Sequence, residues 1–247
     1  MVWVKEEGRI TSLIYKLIVS LLRKIGTYDK RNVSYSTIVS SSINDGGNKT
    51  FLDIGVGTGQ ISNMLCQNKE RFIAGLDICR HILKSNRRRL FHPVVADAHH
   101  MPFRNEIFDV TLFISCVEHL AQPSGCIKEI SRITKQNGIC ITQLPNLQWL
   151  MEPHTKFPLL YFLPQRFSSV IKKSSGYESI NLRITLKKVL SWFDTFGFTN
   201  IDRRNIHHFQ IFRFPWWPLG WFLTFRKTAR ADRITPILTP TVNRRSL

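Results

Sequence analysis

The stretch from Asp53 to Gly59 constrains the fold of this chain more than any other. A short apolar run of β-forming residues, 50–54, leads into it, and glycine then stands at every second position, at 55, 57 and 59. Apolar residues follow at helical spacing. This order predicts a buried strand, a tight turn and a helix. Glycine lacks a Cβ atom and tolerates positive φ, and the first N–H groups of a helix have no partner within it, so the turn suits a nucleotide-like ligand.

The spacing of the glycines distinguishes two kinds of ligand-binding turn. Dinucleotide-binding turns follow the pattern G-x-G-x-x-G, but Gln60 stands where their third glycine would be. The pattern here is D-x-G-x-G-x-G, from Asp53 to Gly59. A tight turn whose glycines serve packing alone is the alternative interpretation.

Strand and helix patterns alternate after this turn. The further apolar, β-prone runs are 71–77, 93–98, 108–115 and 139–146. Their alternation with helical patterns predicts a parallel sheet in an α/β domain. Asp77 and Asp97 stand at or near the ends of the second and third runs. Both are therefore expected at the carboxyl edge of the sheet, where open α/β sheets bind their ligands.

The succession from residue 50 to residue 146 resembles the core of the class I S-adenosylmethionine-dependent methyltransferases, in particular the branch that modifies small molecules, quinones and sugars. The stretches that carry the resemblance are D-I-G-V-G-T-G at 53–59, L-D-I at 76–78, A-D-A at 96–98 with M-P-F at 101–103, F-D-V at 108–110, V-E-H-L at 117–120 and N-G at 137–138. The resemblance implies an α/β, Rossmann-like fold with a mostly parallel seven-stranded sheet and helices on both faces. It also implies S-adenosylmethionine as the cofactor.

The resemblance assigns residues to the methionine end of that cofactor. Four residues of the turn would cradle it: Gly55, Val56, Gly57 and Gly59. Asp53 would lie near the ammonium group, and Ser115, at the end of the fourth strand, would line the same part of the site.

The adenosine end is assigned to residues after the second and third strands. Asp77 would hold the ribose hydroxyls, and Ile78 would pack on the adenine. Asp97 would accept a hydrogen bond from the adenine amino group, with the backbone N–H of Ala98 facing the ring. A turn-capping role is the alternative for Asp97.

Methyl transfer requires a nucleophile in line with the bond from sulfur to the methyl group, and an oxygen nucleophile also gains from a general base. His119, in the turn after the fourth strand, is the first candidate for this base, and His154 is the second. A helix-start or packing role is the alternative for His119, and the absence of a direct role is the alternative for His154. Cys116 follows serine rather than proline, so it does not resemble the nucleophile of a cytosine-C5 methyltransferase.

Composition shifts divide the chain into three parts. Residues 1–49 hold an amphipathic helical pattern at 9–25 and a polar loop. The resemblance implies a methyltransferase domain over residues 50–205, with a proline- and aromatic-rich, lid-like insertion near 147–180. Residues 206–247 are an aromatic and basic C-terminal extension, and a last strand of the sheet is the alternative for its aromatic run at 209–225.

The chain has a net charge of +18, and most of the excess lies in residues 151–247, which carry 16 basic and 5 acidic side chains. Because this part follows the predicted cofactor-binding core, we attribute the charge to contact with a partner or membrane and not to cofactor binding. We expect a small or lipid-linked acceptor, with the methyl group going to an oxygen of a sugar, quinone or similar amphiphile. An anionic membrane surface is the expected contact of the basic C-terminal part. An RNA methyltransferase is the less favoured alternative, and a non-catalytic cofactor-binding protein is another.

The cysteine and histidine patterns bear on metals and compartment. The five cysteines form no C-x-x-C pair and the histidine pairs are adjacent in sequence, so we expect no metal site. Reduced thiols and the lack of a recognisable signal peptide favour a cytoplasmic protein, with a peripheral position on the inner face of a membrane as the further expectation.

Overall fold

The computed structural model describes residues 31–43, 49–67, 72–85, 90–148, 152, 155, 157, 159–206 and 218–228. The strands are β1 (Thr50–Ile54), β2 (Phe72–Asp77), β3 (His92–Val95), β4 (Phe108–Ile114), β5 (Thr134–Pro145), β6 (Phe198–Ile206) and β7 (Gly220–Lys227). The helices are α1 (Arg31–Ser42), α2 (Gln60–Gln67), α3 (Arg80–Ser85), α4 (Pro123–Ile133), α5 (Gln165–Ser174) and α6 (Leu186–Thr195). Two 3-10 helices cover Val117–His119 and Leu160–Phe162.

The seven strands form one sheet in the order β3-β2-β1-β4-β5-β7-β6. The pairs among β1 to β5 are parallel, whereas β7 runs antiparallel to both of its neighbours. The predicted fold class, a mostly parallel seven-stranded sheet, is confirmed. Order reverses at β1, because the chain first builds outward to β3 and then returns to place β4 on the other side. Such a switch point opens a crevice at the carboxyl ends of the strands.

Helices cover both faces of the sheet, which explains why the central strands are apolar on both sides. One buried cluster joins the sheet to α4 and α6, through side chains such as Ile127 and Phe193. The other joins it to α1, α2 and α3, through Val39, Leu65 and Leu83. Successive side chains of a strand point to opposite faces, so neighbouring residues of one strand enter different clusters.

Strand β7 corrects the predicted domain boundary. The sequence assigned everything after residue 205 to an extension, but residues 220–227 lie inside the sheet between β5 and β6. Phe225 of β7 stacks on Phe193 of α6 with ring centroids 3.9 Å apart. Phe222, on the opposite face, meets the edge of Tyr35 in α1 at 4.9 Å. The last-strand alternative therefore holds for this stretch, and the rest of the extension lies outside the described residues.

The N-terminal part and the insertion near 147–180 differ in what the structure covers. The predicted helix at 9–25 lies outside the described residues. Helix α1 was not predicted, and the predicted polar loop begins inside its last turn. Within the insertion the chain forms a 3-10 helix and α5. None of the helices in the described ranges is both long and apolar enough to span a membrane.

Candidate cofactor and acceptor site

The glycine turn folds back against the end of β2. The N–H groups of Gly55 and Val56 both donate to the carbonyl oxygen of Leu76, at 2.8 and 3.0 Å. Gly55, Gly57 and Gly59 all have positive φ, at 70°, 52° and 72°. Side chains with a Cβ atom adopt this conformation only at a cost, so the turn requires glycine at these positions.

Space around the three glycines differs, and the difference shows which one borders the ligand side. A Cβ atom on Gly59 would fall 2.0 Å from the ring of Phe91, and one on Gly55 would fall 2.7 Å from Sγ of Cys116. The lack of a side chain at these two positions therefore leaves space for Phe91 and Cys116 to pack against the turn. At Gly57 the nearest such atom is a backbone oxygen at 4.0 Å, so the backbone there is open to a ligand.

Asp77 connects the turn to the end of β2. Its Oδ2 accepts from the N–H of Gly57 at 2.9 Å, and its Oδ1 accepts from the N–H of Cys79 at 2.8 Å. The carboxylate is half-buried, and each oxygen keeps a second lone pair for another donor. Asp77 thus combines a fixed orientation with remaining capacity to accept hydrogen bonds from hydroxyl groups.

Ile78 follows Asp77 and is 72% exposed. This large aliphatic side chain is open to solvent next to the Asp77 carboxylate, and a flat ring of a bound ligand could pack on it. The N–H of Ala96, just after β3, donates to the carbonyl of Asp77 at 3.1 Å, so the exits of β2 and β3 lie together.

Asp97 is held by His99, the first residue of the adjacent histidine pair at positions 99 and 100. Oδ1 of Asp97 accepts from the backbone N–H of His99 at 2.9 Å and lies 2.8 Å from its Nδ1. These bonds hold the pKa of Asp97 below its ordinary value. Nε2 of His99 lies 3.1 Å from the carbonyl oxygen of Gln122, which ties the β3 exit to the start of α4. Ala98 is buried in the core behind them.

Asp53 occupies a different environment from the other two aspartates. It is only 4% exposed, and its Oδ2 accepts from the hydroxyl of Ser62 in α2 at 2.6 Å. Burial raises its pKa to about 7, and the nearby charge of Asp77 adds to this, although the Ser62 hydroxyl opposes it. The side chain therefore lies beneath the turn. Its predicted role toward an ammonium group stays a prediction.

Ser115 directly follows β4 in a backbone conformation that is rare for serine, with φ of 50°. Its hydroxyl donates to Oε1 of Gln143, which is buried near the end of β5. Gln143 was not among the predicted site residues. The available signal was a buried-strand pattern, apolar at residues 139–141 and 144, that is interrupted by a polar residue near its carboxyl end.

Beyond Ser115 the chain passes over the glycine turn. Cys116 lies against Gly55, and burial, with the charge of Glu118 as the next cause, raises the pKa of its thiol. The thiol is therefore neutral near pH 7.

A cavity of about 610 Å³ lies where this segment meets the insertion. Its lining residues are Leu120, Ala121, Tyr161, Leu163, Gln165, Ser168, Lys172, Glu178, Ser179, Ile180, Asn181, Leu182 and Arg183. Lys172 donates to the carbonyl of Ile180 at 2.8 Å, and Arg183 donates to the side chain of Gln165 at 3.0 Å. Sequence reasoning missed these residues individually, although it placed a lid-like insertion here.

His119 stands at the margin of this cavity. It ends the 3-10 helix after β4, and its Nδ1 lies 3.5 Å from Oγ of Ser179, which lines the cavity. His154, the second candidate base, lies outside the described residues. Within the described ranges, no three histidine, cysteine or acidic side chains are grouped as a metal site would require.

Comparison with known proteins identifies a family that matches the strands and helices around the glycine turn. Residues 52–142 match the family described as methyltransferase domain. The chain carries a class I S-adenosylmethionine-dependent methyltransferase domain. A SAM-dependent methyltransferase from Methanosarcina mazei has the same fold, with a TM-score of 0.61 and 18% identity over 77% of this chain and 97% of its own.

Curated relatives match this methyltransferase domain at modest identity. The demethylmenaquinone methyltransferase of Clavibacter sepedonicus is 26% identical over 63% of this chain and 68% of its own length. The human probable tRNA methyltransferase 9B is 31% identical over 40% of this chain and 21% of its own length. The chain spans between 61% and 68% of the first three curated relatives that it matches.

The residues at the carboxyl edge fit S-adenosylmethionine, the cofactor of this methyltransferase domain. Gly57 leaves its backbone open, Asp77 keeps capacity to accept hydrogen bonds, and Ile78 offers an exposed apolar surface. Asp97 lies on the same edge, and its hydrogen bonds from His99 lower its pKa. The roles that the resemblance implied for these residues remain predictions.

Proposed function

We propose that the protein transfers a methyl group from S-adenosylmethionine to a small or lipid-linked acceptor that binds in the cavity beneath the insertion. The observation that carries this proposal is the course of residues 115–121. One part of this segment lies against Gly55 of the glycine turn, and its end, Leu120 and Ala121, lines the cavity. An acceptor in the cavity would thus lie beside the cofactor edge, as in-line transfer requires.

The chain's own residues would hold, orient and shield the reactants. S-adenosylmethionine supplies an electrophilic methyl group on a sulfonium. Asp77 and the open backbone at Gly57 would fix the nucleoside and the adjoining chain of the cofactor. Leu163, Ile180 and Leu182 line the cavity with apolar surface that would exclude water from the acceptor.

The character of the cavity supports an acceptor with both polar and apolar parts. Its lining includes an amine, a guanidinium and a carboxylate together with a tyrosine and leucines. A quinone or related aromatic amphiphile has polar oxygens and an apolar part that could contact these two kinds of side chain. The demethylmenaquinone methyltransferase among the relatives favours that class of acceptor. An oxygen of a sugar or quinone stays the proposed acceptor atom. For a quinone ring, carbon is the alternative.

We further propose His119 as the general base, acting through or beside Ser179 at the cavity margin. Replacing His119 by Gln should lower kcat by about 100-fold or more and remove the acidic limb of the pH–rate profile. Affinity for S-adenosylmethionine should not change, because His119 is placed toward the acceptor. A kcat within about threefold of the wild type would assign His119 to packing alone.

A labelled-methyl assay tests the proposed acceptor class. Purified protein and radiolabelled S-adenosylmethionine would be incubated with a lipid extract and, separately, with bulk tRNA. We expect label in the lipid extract, and none with the Asp77→Ala variant. Label in neither fraction, despite cofactor binding, would contradict the proposal and favour a non-catalytic binding protein.

An RNA substrate is the second candidate, because one relative is named a probable tRNA methyltransferase and the chain has a net charge of +18. Lysines and arginines that neutralise phosphates bind RNA in a strongly salt-dependent manner. Label in tRNA rather than lipid would decide for it. The basic C-terminal part remains a proposed contact with an anionic membrane, and most of it lies outside the described residues.

A further inference from the structure

Helix α5 presents apolar residues to solvent instead of to the core. Phe167 is 64% exposed and Val170 is 63% exposed, and the buried residue of this helix is Ser168. Soluble helices normally bury their apolar face and expose polar residues. In α5, Phe167 and Val170 instead face solvent, whereas Ile171 is partly buried.

Within the described ranges, half of the exposed large apolar side chains lie in the segment that contains this helix. Ten large apolar residues are exposed in the described part of the chain, and five of them lie between 159 and 177: Leu159, Phe162, Phe167, Val170 and Tyr177. Single exposed apolar residues are ordinary on a protein surface, but a concentration within one short segment marks an interaction surface.

Basic residues share the outward face of α5. At 100° per residue, Arg166, Val170 and Lys173 lie within about 60° of one another, and Phe167 adjoins them. Arg166 and Lys173 are both exposed. The helix contains no acidic residue. Apolar side chains flanked by cations suit a membrane surface, which has an apolar acyl region beneath negatively charged headgroups.

The inner face of the same helix borders the cavity. Gln165, Ser168 and Lys172 line it, on the side opposite to Val170. The helix therefore separates the cavity from the surface that its outer face would contact.

We propose that the outer face of α5, formed by Arg166, Phe167, Val170 and Lys173, docks on the surface of an anionic lipid membrane. Phe167 and Val170 enter the boundary between headgroups and acyl chains, while Arg166 and Lys173 pair with lipid phosphates. The docked helix holds the cavity beside the membrane, within reach of an amphiphile that resides there. This surface is distinct from the basic C-terminal part, and docking does not require methyl transfer.

Vesicle binding by the full-length protein tests this proposal without depending on catalysis. Co-sedimentation would be measured with vesicles of phosphatidylcholine alone and of phosphatidylcholine mixed with phosphatidylglycerol. We expect binding to the mixed vesicles. The Phe167→Ser/Val170→Ser variant should bind about tenfold more weakly, since it loses the inserted apolar area. The Arg166→Gln/Lys173→Gln variant should lose a similar factor and become less sensitive to salt.

Matched controls separate this face from general surface effects. Leu90→Ser/Ile201→Ser removes two exposed apolar side chains elsewhere, and Lys128→Gln/Lys187→Gln removes two exposed charges. Both controls should bind vesicles as the wild type does, and thermal unfolding should show all variants folded.

Three results would overturn the proposal. The wild type could fail to bind the anionic vesicles, or the α5 variants could bind as tightly as the controls, which would place membrane contact elsewhere in the chain. Sedimentation velocity without lipid could show self-association that the α5 variants abolish, which would make a second copy the occupant. Each of these results leaves the methyl-transfer assay unaffected, so the two proposals fail separately.

Discussion

At the scale of single residues, three aspartates on one edge of the sheet have three different environments. Asp97 is exposed and held by His99, Asp77 is half-buried and bonded to two backbone N–H groups, and Asp53 is enclosed. Sequence position alone placed all three at strand ends. It could not separate their environments, because burial depends on which helix packs over each one. For Asp53 that helix is α2, through Ser62.

The raised pKa of Asp53 makes stability depend on pH. The carboxyl has a pKa of about 7 in the folded chain, against about 3.9 when unfolded, so folding binds a proton between these values. Stability is therefore lost as pH rises from about 4 to about 7, by about 4 kcal/mol in all. The Asp53→Asn variant should lack this loss, because its amide does not ionise in this pH range. The amide oxygen can still accept the hydrogen bond from Ser62.

Urea unfolding at about pH 5 and about pH 8 measures this difference. The wild type should lose about 2–3 kcal/mol more between the two pH values than Asp53→Asn does. Equal losses in the two proteins would show that Asp53 titrates normally and is not enclosed as described.

The glycines of the turn allow a test with an internal control. Gly59 and Gly176 both have positive φ, but a Cβ atom would meet Phe91 at the first and open space at the second. Gly176→Ala should cost about 1 kcal/mol for the backbone alone. Gly59→Ala should cost about 3 kcal/mol or more, because the ring must also move. Chemical denaturation measures both, and similar costs would refute the close packing of Phe91.

At the scale of elements, strand β7 shows where sequence reasoning stopped. The first five strands follow apolar runs with local turn signals, and the sequence located each of them. Pairing of β7 with β5 joins residues about 80 positions apart, such as Thr142 and Leu223, and no local pattern encodes it. The cavity was missed for a similar reason, because its lining comes from separate segments and consists of ordinary polar and apolar residues.

Phe225 tests whether β7 is an integral strand. Its ring stacks on Phe193 and is 1% exposed, so Phe225→Ala should destabilise the protein by about 3–5 kcal/mol. Phe167→Ala makes the same change on the exposed surface of α5 and should cost less than about 0.5 kcal/mol. Thermal or chemical unfolding of the two variants compares them directly. A loss of unfolding free energy at Phe225 as small as that at Phe167 would show that β7 is a peripheral extension and not an integral strand.

At the scale of the whole molecule, the described site divides into two regions joined by one segment. The glycine turn with Asp77 and Asp97 lies at the carboxyl edge of the sheet, and the cavity lies under α5. Residues 115–121 reach from Gly55 to the cavity wall. Charge follows the same division, because residues 151–247 carry most of the positive excess. The carboxyl edge and the proposed acceptor cavity therefore lie in chemically different parts of the chain. A family resemblance confined to residues 50–146 could predict the first more closely than the second.

The central claim is that this carboxyl edge binds S-adenosylmethionine through Asp77, and calorimetric titration tests it most directly. The wild type should bind S-adenosylmethionine but not NAD, and Asp77→Ala should weaken binding at least about tenfold, since it loses charge-assisted hydrogen bonds. Asp202→Ala, which removes an aspartate on β6 that pairs with Arg204, is the matched control and should bind as the wild type does. No binding of S-adenosylmethionine, or equal binding by Asp77→Ala and the wild type, would contradict the claim.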